Sequence, residues 1–223
     1  MQKQERVCIF IDGANFYHLV LKKLNTSELN FCFEDFVKFL ANKRKIIRNG
    51  KRFYIGTVRE IEGDLRSKQA MAKQTTLFAT LKSYDWEIKT SKLRVRIEKI
   101  VIDNRVINYQ KFLKKGVKEI KFRRIREKGI DVKMATDLIV GAVDNKYDTA
   151  IIVSSDTDLT PAIDWVRKRQ NKIVEYIGFS IKNPDSKRED TRPSQGMITY
   201  SDIQRILVAS DIRQFIKPFI QKK

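Results

Sequence analysis

The 223-residue chain holds one histidine, two cysteines and no long apolar run, and each scarcity removes a class of chemistry. With His18 alone, cleavage that pairs one imidazole as base with another as acid is excluded. Cys8 and Cys32 form no CxxC or finger-type spacing; set among apolar neighbours, they read as buried free thiols of a reducing cytosol. No apolar stretch approaches the roughly 20 residues that span a membrane, and the N-terminal M-Q-K-Q-E-R lacks the apolar stretch of a secretion signal. The expectation is a soluble cytoplasmic protein with no membrane partner. GxGxxG, P-loop, HExxH and GxSxG motifs are missing, which disfavours dinucleotide binding, ordinary NTP hydrolysis, zinc proteolysis and serine esterase chemistry. There is no internal repeat and no low-complexity tract.

Positive charge is what the chain has in excess. A net charge of +19 and a pI near 9.9 favour association with nucleic acid or another polyanion. The excess is uneven: residues 91–128 carry fourteen Lys and Arg against four acids. Lys114, Lys115, Lys121, Arg123 and Arg124 of this segment are candidate contacts for a phosphate backbone. Tyr109, Phe112 and Phe122 read either as stacking partners or as packed core.

Apolar periodicity predicts strands at 6–12, 51–58, 86–90, 148–154 and 172–177, and helices at 14–24, 30–40, 64–82, 132–144 and 160–169. Pro161 suits a first helical turn, with Thr160 as its cap. The alternation implies an α/β fold, a mainly parallel sheet with helices on both faces, and residues 1–223 as a single domain. The basic segment 91–128 breaks the rhythm and reads as an insertion: a β-hairpin turning at Asp103–Asn104, then a loop or short helix. Residues 179–196, polar with two prolines, read as a mobile loop, and 201–220 as two short helices around 202–209 and 211–217.

Five aspartates stand where strands end and helices begin. Asp12 closes V-C-I-F-I-D-G-A-N, Asp156 and Asp158 close A-I-I-V-S-S-D-T-D-L, and Asp131 and Asp137 lie in K-G-I-D-V-K-M-A-T-D-L. In an open α/β sheet, ligands gather beyond the carboxyl ends of the strands. A helix preceding a parallel strand starts at that same edge, so topology alone brings Asp12, Asp131, Asp156 and Asp158 together. Asp137, six residues beyond Asp131 and so about 9 Å further along the helix, reaches the site only through water. Asn15 can orient Asp12 or a phosphate, and Ser154 and Ser155 can bond a carboxylate or a scissile phosphate. Clustered carboxylates repel unless a hard cation neutralises them. Each has a duller reading: Asp131 and Asp158 as helix caps, Asp12–Gly13 as an ordinary turn, Asp137 as a structural or solvated acid.

The stretches F-I-D-G-A-N-F, K-G-I-D-V-K-M-A-T-D-L and V-S-S-D-T-D-L-T-P-A-I resemble, in order and spacing, the three motifs of the NYN domain family, the LabA-like branch of the PIN-like nucleases. The closing L-V-A-S-D-I-R-Q-F-I is similar to the end of such domains. The resemblance covers most of residues 5–178. It implies a three-layer PIN-like fold, a divalent cation (Mg2+ or Mn2+) and ribonuclease activity. Asp12, Asp131, Asp156 and Asp158 match the family's acidic positions, Asn15 its polar one, and Asp137 a frequently acidic one. The basic insertion and the 179–196 loop depart from the compact pattern and leave the substrate open.

Together these readings give a metal-dependent endoribonuclease acting on single-stranded or structured RNA and leaving 5′-phosphate and 3′-hydroxyl ends. Asp12, Asp131 and Asp156 hold the metal, with Asp158 as a further or water-mediated ligand. The alternatives are a non-catalytic RNA-binding regulator, a structure-specific DNA nuclease, and a phosphatase of the haloacid dehalogenase type. The last wants a second acid where Ala14 stands. Residue patterns leave internal versus terminal attack, and monomer versus homodimer, open.

Overall fold

The computed structural model describes residues 4–92, 94–126, 129–185 and 187–217, so positions 93, 127 and 128 of the basic segment, 186 of the loop and 218–220 of the tail lie outside the described residues. In chain order the elements are β1 (Arg6–Asp12), α1 (Gly13–Phe16) widening into a π turn (Tyr17–Leu21), α2 (Phe33–Ala41), β2 (Lys45–Thr57), α3 (Leu65–Lys82) and β3 (Glu87–Lys92). There follow β4 (Arg94–Val101), α4 (Tyr109–Lys114), β5 (Glu119–Arg126), α5 (Ile130–Val143), β6 (Thr149–Val153), α6 (Thr160–Gln170), β7 (Ile173–Ser180), α7 (Gln195–Tyr200), β8 (Ile203–Val208) and α8 (Ala209–Arg213).

β1 and β6 are apolar along nearly their whole length because helices cover both faces of the sheet at its centre. Six strands pair in the order β3-β2-β1-β6-β7-β8, every pair parallel. Alternate residues of β1 feed two separate cores. Val7, Ile9 and Ile11 join Phe16, Phe36 and Phe179 on one face. Cys8 and Phe10 join Met134, Leu138 and Ile163, from α5 and α6, on the other. By the same alternation Asp12 projects toward the face covered by α5.

Three expectations are corrected. Residues 203–208 form the sixth strand of the sheet, β8, where a helix was expected; among the described residues only the short α8 comes after it. The apolar residues at 203, 206 and 207 fit helical spacing, but Arg205 pairs with the buried Glu175 of β7 (2.9 Å), which Arg44 also grips (2.8 Å). Leu207 is buried beside it, so period two governs. The basic hairpin does not turn at Asp103–Asn104. β4 pairs along its length with β5, with α4 in the connection. Asp103 instead accepts the backbone N–H of Arg105, a local turn leading toward α4. The 179–196 loop is fastened: Ile181 and Thr191 exchange backbone bonds, the Thr191 hydroxyl donates to the carbonyl of Leu19, and α7 begins at Gln195.

Among the described residues no helix is long and apolar enough to cross a membrane. Cys8 is buried as expected, whereas Cys32 is partly exposed and donates to Asp35.

Candidate active site

Strand order reverses between β1 and β6, the one place where successive connections leave in opposite directions. The two strands run in register, Ile11 beside Val153, so Asp12 emerges next to Ser154, with Asp156 two residues further on. Both aspartates cap the helical turn that begins immediately after them. Asp12 Oδ1 accepts the backbone N–H of Asn15 at 3.0 Å, and Asp156 Oδ1 accepts that of Asp158 at 2.9 Å. The cap assignment is thus the reverse of the sequence alternative, in which Asp131 and Asp158 were the caps.

Side chains lock the two strand ends together. Asn15 Oδ1 accepts the N–H of Ser155 at 3.0 Å, which fixes its amide and leaves the NH2 as a free donor among the described residues. Ser154 Oγ donates to Asp12 Oδ2 at 3.5 Å and accepts the N–H of Asp156 at 3.2 Å. At 1% exposure Ser154 cannot touch a substrate; it positions the two acids. The Ser155 hydroxyl is shared with the Tyr176 hydroxyl at 3.0 Å. Gly13 is helical, not the turn residue considered from sequence. A Cβ there would lie 2.5 Å from Phe53 Cζ and 3.2 Å from the Tyr54 carbonyl oxygen, so glycine lets α1 pack directly on β2.

A cleft of about 400 Å³ opens over these strand ends, lined by Asp12, Asn15, His18, Asp131 and Asp156 among others. Asp131 arrives on the first turn of α5, whose cap residue Gly129 (φ 82°) takes a left-handed conformation costly for other residues. Among the described residues the Asp131 carboxylate has no hydrogen bond or ion pair, and no cationic side chain lines the cleft. Burial pushes the Asp12 carboxyl up to about 6; the Asn15 N–H opposes the rise and the charge of Asp156 adds to it.

Asp158 and Asp137 do not line the cleft. Asp158 is exposed beyond the Asp156 cap. Asp137 is occupied elsewhere: it accepts from the Tyr54 hydroxyl at 2.8 Å and lies 3.7 Å from Lys89 and 3.8 Å from Arg52. His18, read from sequence as packed or solvent-facing, lies on the cleft wall. The signal was its spacing, four residues after Ala14 and three after Asn15, on one face of the helix next to the first aspartate.

The donor set suits a hard divalent cation, since it offers carboxylate oxygens and no thiol. Among the described residues no three His, Cys, Asp or Glu side chains are gathered tightly enough to enclose an ion. That is compatible with Mg2+, which usually keeps several waters, so that a carboxylate can hold it through a bound water as well as directly. Asp131, without a partner among the described residues, and the desolvated Asp12 are what such an ion would neutralise.

Burial of Asp12 also makes stability depend on pH. The folded state binds the Asp12 proton more tightly than the unfolded chain, so the resulting stability is present at low pH and is lost as pH rises through about 6. Asp12→Asn, which can keep the Asn15 cap, should therefore stabilise the metal-free fold by about 1–3 kcal/mol at pH 7.5. The gain should vanish near pH 4 in urea titrations. A pH-independent difference would contradict this account.

The basic arm stands apart from the sheet. Lys114, Lys115, Lys121, Arg123 and Arg124 are all exposed; Phe112 is exposed, and Tyr109 and Phe122 are partly so. The β4–β5 register sets like charges opposite each other, Arg96 with Arg124 and Lys99 with Lys121 among them. Glu98 and Glu119 offset them in part, through Arg124 and through Lys99 and Lys121.

The sequence matches the NYN domain family over residues 6–195. The fold is similar to that of a protein of unknown function from Vibrio parahaemolyticus known from a crystal structure. The TM-score is 0.52 at 18% identity, covering 93% of this chain and 96% of that one. No curated protein matches at a significant level. The motifs, the parallel sheet with helices on both faces and the family match agree: this chain belongs to the NYN domain family, within the PIN-like nuclease superfamily.

Proposed function

We propose that the protein is a ribonuclease that hydrolyses RNA phosphodiester bonds with Mg2+ or Mn2+ held by Asp12, Asp131 and Asp156. The observation that carries this reading is the meeting of three carboxylates from distant segments in one cleft that, among the described residues, no lysine or arginine lines. A pure RNA binder gains nothing from acids facing phosphates, and the cleft has no other evident use for them.

When bound, the cation supplies charge stabilisation at the phosphoryl oxygens and activation of water. The remaining roles fall to this chain's own groups. The free NH2 of Asn15 is available to donate to a non-bridging phosphate oxygen. Ser154 holds Asp12 and Asp156 in fixed relation through its two hydrogen bonds. His18 offers the cleft's one imidazole, a proton source for the departing 3′-oxygen. Asp158 and Asp137 are left out of the ligand set.

The arm would hold the RNA outside the cleft. Because anions relieve its like-charge pairs, neutralising Lys114, Lys115, Lys121, Arg123 and Arg124 together should flatten the dependence of log affinity on log salt. On single strands the slope should fall by about 0.7 for each of these cations that meets a phosphate. An unchanged slope would remove the arm from binding.

The activity is tested with labelled single-stranded RNA, duplex RNA and DNA in Mg2+, Mn2+ or EDTA. RNA cleavage that disappears in EDTA is expected. Cleavage that persists in EDTA, or acts on DNA in preference, would overturn the proposal.

A further inference from the structure

Two recesses meet at His18. One is the acidic cleft; the other, of about 510 Å³, runs from the π turn to α3 and shares Ala14 and His18 with it. On the α3 side its wall includes Arg66, Gln69, Lys73 and Leu77, three or four residues apart and so on one face of the helix. A helix that only covered the sheet would carry an apolar stripe there. In α3 only Leu77 and Leu81, both in its C-terminal half, are buried, and the N-terminal half presents an exposed polar stripe to the groove.

The charge of that stripe is one-sided. Residues 65–82 contain Arg66, Lys68, Lys73 and Lys82 and no acid. Among the described residues the side chains of Arg66 and Lys73 have no hydrogen-bond or ion-pair partner; Arg66 bonds to Asp64 through its backbone N–H only. Gln74 is committed instead, donating to the Gly56 carbonyl and accepting the Val58 N–H, which fixes the helix against the end of β2. Across the groove stand Tyr17, its ring edge-on to His18 with centroids 5.2 Å apart, and Leu29, 38% exposed; Glu28 is the acid on that rim.

We propose, resting on the nuclease reading above, that this groove holds the single-stranded RNA segment leading away from the scissile phosphate. Arg66 and Lys73, about 10 Å apart along the helix axis, meet two phosphates of one strand. Tyr17 and Leu29 offer apolar surface to a base. A cationic groove with an aromatic wall is the general form of single-strand binding, and a base within a duplex is already stacked and cannot enter it. Continuity with the cleft through His18 makes the groove the path by which unpaired RNA reaches the acids.

The test is fluorescence anisotropy of a short unpaired RNA, and of a duplex RNA, across a salt series in EDTA. The proteins are wild type, Arg66→Gln/Lys73→Gln, and the charge-matched Lys68→Gln/Lys82→Gln, whose residues do not line the groove. On unpaired RNA the groove variant should lose about 1.4 from the magnitude of its salt slope and roughly tenfold in affinity at moderate salt. The control should keep its slope, and duplex binding should be unchanged in both. No change in the groove variant, an equal change in the control, or an equal loss on duplex would overturn the assignment. Hydrolysis of bis(p-nitrophenyl) phosphate with Mn2+, a diester too small to span both recesses, separates this proposal from the one it rests on. If the wild type leaves that ester intact while the groove variant loses its slope, the nuclease reading fails and the RNA groove stands.

Discussion

Asp156→Asn is expected to lower cation-dependent cleavage of single-stranded RNA by about 10²–10³-fold, the scale set by removing one charge interaction from the transition state, while leaving the fold intact. Asparagine keeps an oxygen to accept the Asp158 N–H, so the short 3₁₀ turn Thr157–Leu159 retains its cap. What is removed is one negative charge beside Asp12. Asp131→Asn should behave alike and more cleanly, because the Asp131 carboxylate has no hydrogen bond to a described residue. The readout is single-turnover cleavage beside circular dichroism. A variant that cleaves within threefold of wild type would take Asp156 out of the reaction.

Phe16→Ala is expected to destabilise the fold by about 3–5 kcal/mol, the usual cost of truncating a buried phenylalanine. Phe16 is 1% exposed and centres an aromatic cluster, with ring centroids 5.2 Å from Phe31, 5.4 Å from Phe36, 5.6 Å from Phe179 and 6.0 Å from Phe33. For a chain of this size the loss corresponds to a Tm lower by about 10 °C. The residue closes the F-I-D-G-A-N-F stretch directly after Asn15, so the cluster also anchors the helix that presents Asn15 and His18 to the cleft. A calorimetric Tm within 2 °C of wild type would mean that the cluster is not the anchor described.

Much of this site could be read from the chain because topology forces it. A buried strand ending in aspartate puts that acid at the sheet's carboxyl edge, which located Asp12, Asp156 and, through the helix before β6, Asp131. The same reasoning overreached at Asp158, because sequence spacing does not reveal that the Asp156 carboxylate captures the backbone N–H of Asp158 and leaves that side chain outside the cleft. His18 was undervalued although its spacing puts it on the face of Ala14 and Asn15; it lies in the π turn Tyr17–Leu21, an irregularity often found at functional sites. β8 was misread because its inward face is held by an ion pair between Arg205 and the buried Glu175, a polar contact invisible to a hydrophobic pattern. The basic hairpin was recognised as strand, but its turn was misplaced: the partner of β4 lies beyond an intervening helix, and cross-strand register is a nonlocal property.

The central claim, that Asp12, Asp131 and Asp156 act as one cation site, is tested most directly by calorimetric titration of Mn2+ into the protein without RNA. Wild type should bind, and each of Asp12→Asn, Asp131→Asn and Asp156→Asn should weaken binding at least about tenfold, whereas Asp137→Asn and Asp158→Asn should bind as wild type does. Equal Mn2+ affinity in all five variants, or weakened binding only at Asp137 or Asp158, would contradict the account.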